Sequence, residues 1–303
     1  MMVHPSVMSG KHSGVSAWNK NSAILAFYVH CNAHCLNLVL VDAVKSVPEV
    51  VNFFALLQKL HNFVSGSYIH LKWLAVQKEL YPQQQPRELQ RLTDIRWACR
   101  YMACCKLRDR LPAVLRVLQD ITLENSGDRS VEARGLLSQI DLHFIGILVT
   151  FCKVLGDAKC LSDILQSSSL DLARAVDLVG ALADTLQDYR SEGYFGELWN
   201  EVEEIAEHCK ISVQTVCKRQ PKTSLGFHDS LMMSTVGQIG TKVMLRPSKE
   251  IFESFQDLLR ASKIFYQVLD SLTAELQRHL SKKNCEIMQG VQSLNPKSTT
   301  FLN

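Results

Sequence analysis

The residues best suited to chemistry in this chain lie close together near its beginning, at Cys31, His34 and Cys35. Thiols and imidazoles act as nucleophiles, proton carriers and metal ligands, and Cys31 and His34 form a Cys-x-x-His pair. A zinc site needs four ligands, usually as two close pairs, and no second such pair lies nearby. We therefore predict no metal; Cys31 and His34 would be the ligands if one bound. The alternatives are a packed thiol beside a hydrogen-bonded imidazole, or His34 as a polar residue of a binding site.

The segments on either side of these residues predict a strand, a polar corner and a helix. Residues 26–29 are aromatic, aliphatic and β-branched, which favours a pleated strand. After the corner, Leu36, Leu40 and Val44 recur every four residues, which predicts a helix with a buried face. Because α/β sheets expose functional side chains at strand ends, the corner is the first candidate site.

The segment Cys31-x-x-His34-x-Leu36-Asn37-Leu38 resembles the Cys-x-x-His-x-Leu-Asn-Leu signature of hAT-superfamily transposases. It is most similar to the transposon-derived proteins known as MYM-type zinc-finger or hAT dimerisation domain proteins. Three further segments resemble motifs of that family in the same order. They are residues 6–15, which resemble a Ser-x-Met-Ser-Gly-Lys block; residues 93–97, which resemble a Thr-Arg-Trp motif; and residues 265–278, which resemble a Leu-Asp-x-x-x-x-Glu-Leu segment.

This resemblance implies a mainly α-helical protein, with a helical insertion domain attached to a partial RNase H-like α/β core. We expect the partial core in residues 1–46, as a strand plus helices, and the all-helical insertion domain in residues 47–303. Apolar stripes at helical spacing, such as the one in residues 53–64, agree with the second assignment. Residues 212–250 show little periodicity and are expected to be irregular.

Two positions in the helical part are predicted to be junctions between helices. Pro112 is expected near the start of a helix that ends at about Leu123, because proline is tolerated in the first turn of a helix but not in its interior. Residues 132–165 are expected to form two helices that join near Gly156.

The resemblance also implies that the chain is not an enzyme. Val3 stands where the family has a catalytic aspartate, and valine cannot hold the divalent metals that transposition requires. The family's other acidic residues are expected to lie before Met1 and beyond Asn303. The aspartates of this chain that do not stand in a family position include Asp42, Asp94 and Asp270. We expect no cofactor.

By resemblance, the residues that would contact nucleic acid are His34, Arg96 and Trp97. In the family the Arg-Trp pair lies in the insertion domain beside the active site, where the tryptophan is placed to stack on a displaced base. Ile95 stands where the family has a threonine. From the residues alone, Trp97 is instead interpreted as a core aromatic at the start of a helix.

A small basic cluster formed by Lys218, Arg219 and Lys222 is a further candidate contact. It is interpreted either as part of a solvated loop or as a nuclear-import signal or DNA-backbone contact.

The composition indicates the compartment and the classes of partner, but it does not identify the function. The chain has 303 residues, 47% of them hydrophobic and 21% charged, and its net charge of +3 gives no general nucleic-acid footprint. Ten cysteines without regular spacing, and a beginning that does not resemble a signal peptide, favour a reducing intracellular compartment. No internal apolar run is long enough to span a bilayer, so we expect no membrane partner. We expect a nuclear protein, or otherwise a cytoplasmic one.

Two hypotheses of function follow. The first is a domesticated, catalytically inactive hAT-type transposase-like protein that binds DNA or nuclear protein partners. The second is a degraded or incomplete gene product, a helical domain with no activity of its own, since the family's dimerisation region is expected to be missing. A zinc-dependent enzyme at Cys31 and His34 is a third possibility that would require bound metal.

Overall fold

The computed structural model describes residues 14–23, 32–92, 97–124, 127–166, 172–211 and 249–279. These residues are predominantly α-helical, and none of them forms a β-strand. The mainly α-helical class expected from the sequence is therefore confirmed. The expected strand at 26–29 and nearly all of the expected irregular segment 212–250 lie outside the described residues.

The described ranges contain ten helices, numbered here in chain order. They are α1 (Val15–Ser22), α2 (Asn32–Lys45), α3 (Pro48–Val64), α4 (Ser67–Leu80), α5 (Trp97–Leu123), α6 (Gly127–Leu137), α7 (Leu142–Leu165), α8 (Leu172–Asp188), α9 (Glu192–His208) and α10 (Lys249–His279).

Helix α7 lies at the centre of the molecule, where it contacts α2, α3, α5, α8, α9 and α10. Its apolar residues cover most of its circumference and are buried, as expected for a helix that is enclosed on several sides. The helix begins at Asp141, whose carboxylate accepts a hydrogen bond of 2.8 Å from the backbone N–H of Phe144. No single described helix is long and apolar enough to cross a membrane; α6 and α7 pass that test only as a pair, with a bend of 70° between them.

The contact between α3 and α7 is aromatic. Phe53 and Phe54 of α3 pack on Phe144 and Phe151 of α7, with ring centroids 5.1 to 6.1 Å apart. Such pairs add about 0.5–1.5 kcal/mol each beyond the area they bury. The apolar stripe predicted for residues 53–64 is thereby confirmed as a core-facing surface.

Helix α2 belongs to the same core. Leu36, Leu40 and Val44 are buried, which confirms the face predicted from their spacing, and α2 packs mainly on α10. The described part of residues 1–46 is thus two helices, α1 and α2. No strand of an RNase H-like sheet occurs among its described residues.

The junction predicted at Pro112 is wrong. Helix α5 continues from Trp97 to Leu123 with Pro112 in its interior. An interior proline removes one backbone hydrogen bond and costs about 3 kcal/mol. The turns around it are buried against neighbouring helices, for example through Leu111 and Val114, and this packing offsets the cost.

The junction predicted near Gly156 is also wrong, because α7 passes through this residue without a break. The break lies instead between α6 and α7, immediately before the capping residue Asp141. The Tyr101 ring lies against α7 at Gly156, where an added Cβ would make an ordinary contact of 3.5 Å with it.

Candidate functional site

His34 lies in the first turn of α2, and its side chain is exposed to solvent. It is therefore available to a ligand. Its predicted partner Cys31 lies outside the described residues, as does the side chain of Cys35. Within the described ranges, no group of three or more His, Cys, Asp and Glu side chains is arranged to hold a metal ion.

Trp97 is the first residue of α5, and only 4% of it is exposed. Its backbone N–H donates a hydrogen bond of 3.3 Å to the side-chain oxygen of Asn37 on α2. The first N–H groups of a helix have no partner within the helix, and a side chain from α2 supplies the partner for the first N–H of α5. The burial matches the interpretation of Trp97 as a core aromatic, since a base could stack on this ring only if the start of α5 moved. Arg96, which precedes it in the sequence, lies outside the described residues.

The late segment 265–278 lies on α10 and reaches α2 as well. Arg278 forms an ion pair of 3.2 Å with Asp42, and the hydroxyls of Ser46 and Ser271 lie 2.6 Å apart. Between these polar contacts, a small apolar seam is lined by side chains from both helices, among them Leu40 and Leu276. The segments of α2, α5 and α10 that resemble family motifs therefore meet around α2, although they are far apart in the sequence.

Asp42 and Asp270, two of the aspartates considered in the sequence, are held in ion pairs rather than in a shared site. Asp42 contacts Lys45 at 3.5 Å in addition to Arg278, and Asp270 pairs with Arg190. Asp94 lies outside the described residues.

A second polar cluster, which the sequence did not reveal, lies where α5, α7 and α9 meet. Cys105 of α5 interacts with the Cys152 thiol of α7 and with the Tyr101 hydroxyl of its own helix, and each of the three groups shifts the pKa of another. Beside them, Glu201 of α9 lies 3.7 Å from Arg108 and 3.0 Å from Lys153. The only sequence signal was the presence of the cysteines, because no spacing rule connects residues on different helices.

The cluster separates the acidities of its thiols. The hydrogen bond from Cys152, with further contributions from Tyr101 and Arg108, lowers the pKa of the Cys105 thiol to about 6. The same hydrogen bond, together with burial, raises the pKa of Cys152. Burial raises the pKa of Cys104, which lies next to Cys105 in α5. Of these three thiols, Cys105 is therefore the most acidic.

Further polar contacts lie along α7 beyond Lys153. The Tyr189 hydroxyl donates a hydrogen bond of 2.8 Å to Asp157, and the rings of Tyr189 and Tyr194 stack with centroids 4.0 Å apart. Lys153 lies 5.8 Å from the centre of the Tyr194 ring. Burial, followed by the hydrogen bond to Asp157, raises the pKa of Tyr189. The Tyr189 phenol stays protonated and so keeps its hydrogen bond to Asp157. This bond and the stacking of Tyr189 on Tyr194 hold the end of α8 and the start of α9 against α7.

No protein-family model matches this chain, and no solved structure matches it. The hAT resemblance thus depends on four sequence motifs, and described residues of the motifs at 31–38, 93–97 and 265–278 meet around α2. Lys218, Arg219 and Lys222, the basic cluster singled out in the sequence, lie outside the described residues.

Proposed function

We propose that this protein is a transposase-derived protein of the hAT type that has lost catalysis and binds DNA in the nucleus, at the surface where α2 and α5 begin. The observation that carries the proposal is the hydrogen bond between Asn37 and the N–H of Trp97. It joins the Cys-x-x-His-x-Leu-Asn-Leu segment to the Arg-Trp segment, so His34 and Trp97, two of the residues expected to bind nucleic acid, lie in the first turns of neighbouring helices.

The packing of α10 supports the same proposal. Its family-like segment contacts α2 through the ion pair between Arg278 and Asp42 and through buried leucines. A chance resemblance of separate segments gives no reason for them to lie together. Their meeting is expected if the motifs belong to one inherited structural unit.

The chemistry of this surface favours contacts to the phosphate backbone. His34 is exposed, and Arg96 precedes Trp97 in the sequence, whereas the Trp97 ring is buried and anchors the helix. Backbone contacts position a protein on DNA without reading its sequence. With a net charge of only +3, we expect weak binding that is sensitive to salt.

The loss of catalysis is proposed from Val3, which stands where the family has a metal-binding aspartate. The proposal also assigns residues 1–46 to a partial RNase H-like core and residues 47–303 to a helical insertion domain. The packing of α2 against α5, α7 and α10 would then be the contact that joins the two parts.

The test measures the binding of fluorescently labelled duplex and single-stranded DNA by the full chain, using anisotropy at several salt concentrations. Arg96→Ala should weaken binding and reduce the slope of log K against log salt by about 1, as expected for one lost phosphate contact. Arg116→Ala is the matched control, since it removes an exposed guanidinium farther along the same helix α5. The control should bind as the unmodified protein does.

The outcomes separate the hypotheses. If Arg96→Ala and His34→Ala bind DNA as well as Arg116→Ala, the surface at α2 and α5 is not the contact. If neutralising Lys218, Arg219 and Lys222 alone abolishes binding, the contact is the basic cluster instead. If the chain binds no DNA even at low salt, the proposal fails, and the hypothesis of a helical domain without its own activity stands in its place.

A further inference from the structure

We propose that Arg91 and Lys106 extend the DNA-binding surface from the start of α5 along the segment that follows α4, and that both contact the phosphate backbone. Residues 81–92, which follow α4 and contain no helix or strand, are called the connecting segment here. This inference rests on the proposed function and adds to it a second part of the surface, with residues that no sequence motif indicated.

Positive charge is concentrated around the start of α5. Residues 87–110 contain seven lysines and arginines but only three acidic residues, whereas the whole chain has a net charge of only +3. The remainder of the chain is therefore slightly acidic in sum. A local excess of cations attracts an anionic polymer even where the protein as a whole is nearly neutral.

Several of these cations are already neutralised or buried. Arg87 pairs with Asp109 at 3.1 Å. Arg108 lies 3.7 Å from Glu201, and Arg110 is only 3% exposed. These side chains stabilise contacts within the protein and are poorly placed to hold a ligand.

Arg91 and Lys106 differ from the others. Arg91 is exposed and Lys106 is half-buried, and neither forms an ion pair with a carboxylate in the part of the chain that the structure describes. The Lys106 ammonium donates a hydrogen bond of 3.2 Å to the side-chain oxygen of Gln90, which is a neutral acceptor and uses one of its three N–H donors. Both residues therefore keep a full positive charge that a phosphate can neutralise.

The connecting segment runs antiparallel to α5. Arg87 contacts Asp109, and three residues later Gln90 contacts Lys106, which lies about one turn earlier in the helix. Arg91 therefore lies on the side of Lys106 that faces the start of α5. Lys106 is roughly 14 Å along the helix from its first residue, about the length of four phosphates along one DNA strand.

Hydrogen bonds on both sides of Arg91 hold the connecting segment in place. The Gln77 side chain accepts a hydrogen bond of 2.9 Å from the N–H of Arg87 and donates one of 3.1 Å to its carbonyl. The side-chain oxygen of Gln58, on α3, accepts a hydrogen bond of 2.9 Å from the N–H of Leu92. Because the backbone is already fixed, less entropy is lost when the cations bind a ligand.

The test measures the binding of labelled duplex DNA by the full chain, using anisotropy at several salt concentrations. Arg91→Gln combined with Lys106→Gln should weaken binding and reduce the slope of log K against log salt by about 2, as expected for two lost phosphate contacts. The matched control combines Lys45→Gln with Arg116→Gln, which removes one lysine and one arginine that are exposed and already paired with aspartates. It should leave the slope unchanged.

Equal losses in the two double variants would overturn the proposal, because net charge alone would then explain the binding. Circular dichroism verifies that each variant is folded.

A conservative variant separates charge from packing at Lys106. Lys106→Arg keeps the charge and should keep the slope, whereas Lys106→Gln should reduce it by about 1. Because backbone contacts do not read bases, the loss should be the same for two duplexes of unrelated sequence. A loss confined to one sequence, or an equal loss in both Lys106 variants, would contradict a phosphate contact.

The outcomes separate this inference from the proposed function. If Arg96→Ala weakens binding and the Arg91 and Lys106 double variant does not, the proposed function stands and the extension fails. If the double variant weakens binding and neither Arg96→Ala nor His34→Ala does, the extension stands and the contact at the starts of α2 and α5 fails. Binding of polyglutamate in place of DNA, or of neither polymer, would overturn both.

Discussion

The charged side chain of Arg110 is buried between α4 and α5, with only 3% of the residue exposed. The guanidinium donates hydrogen bonds to neutral acceptors: the side-chain oxygens of Gln77 at 3.1 Å and Gln84 at 2.7 Å, and a backbone carbonyl at 3.4 Å. The ring of Tyr81 lies 4.2 Å from the guanidinium carbon, in a cation–π contact. The buried charge is thus stabilised by amide dipoles and an aromatic face, which also fix the segment after α4.

Gln77 is the residue on which this arrangement depends. Besides Arg110, its side chain accepts a hydrogen bond from the N–H of Arg87 at 2.9 Å and donates one to the carbonyl of the same residue at 3.1 Å. We expect Gln77→Ala to lower the free energy of unfolding by about 2–4 kcal/mol, because it leaves a buried guanidinium and a backbone amide short of partners. Urea unfolding measures the change.

The control for this prediction is Gln139→Ala, which removes an exposed side chain bonded only to a carbonyl one turn earlier in the chain. It should change the unfolding free energy by less than about 0.5 kcal/mol. Equal losses in the two variants would show that Gln77 does not support the buried charge.

Helix α9 ends in a Schellman motif that has a lysine, Lys210, at the position where glycine is common. The N–H of Ile211 bonds the carbonyl of Ala206 at 2.9 Å, and the N–H of Lys210 bonds that of Glu207 at 3.0 Å. Lys210 has a φ of 53°, in the left-handed region that glycine adopts without strain. The helix therefore ends in a strained but fully hydrogen-bonded turn.

We expect Lys210→Gly to raise the free energy of unfolding by about 0.5–1 kcal/mol, because it relieves the left-handed strain while keeping both backbone hydrogen bonds. Thermal unfolding followed by circular dichroism measures the rise in Tm. Lys59→Gly, at an exposed position inside α3, is the opposite control and should cost about 1 kcal/mol. A lower Tm for Lys210→Gly would show that the lysine side chain itself stabilises the turn.

One hydrophobic core runs through the described parts of the molecule. It includes α2, from the predicted partial RNase H-like core, and helices of the predicted insertion domain. Leu36 and Leu40 of α2 line the same apolar seam as Leu272 and Leu276 of α10, with α7 and α8 closing it. Such a shared core predicts that the described parts unfold together.

We expect Leu36→Ala to lower the free energy of unfolding by about 2–5 kcal/mol, because it leaves a cavity where only 1% of the leucine is exposed. The transition should stay single and should coincide when followed by circular dichroism and by tryptophan fluorescence. Leu123→Ala, with 81% of the leucine exposed, should have little effect. Two separate transitions, of which Leu36→Ala shifts only one, would contradict the shared core.

Features that depend on residues close together in the chain could be predicted from the sequence. Spacing alone indicated the buried face of α2 and the aromatic stripe of α3, because a helix repeats every 3.6 residues and its apolar positions show that period. The same local information placed a helix near Trp97. It could not state which other helices these faces would meet.

Other features depend on how the helices pack against one another. Pro112 stays inside α5 because buried packing on both sides offsets the local cost of the proline. Helix α7 begins after its capping residue Asp141 and continues through Gly156 without a break. The tertiary structure buries Trp97 and places its backbone N–H against the side chain of Asn37, and it packs α5 on α7. Each of these features depends on contacts between residues far apart in the chain, and such contacts leave no period or spacing in the sequence.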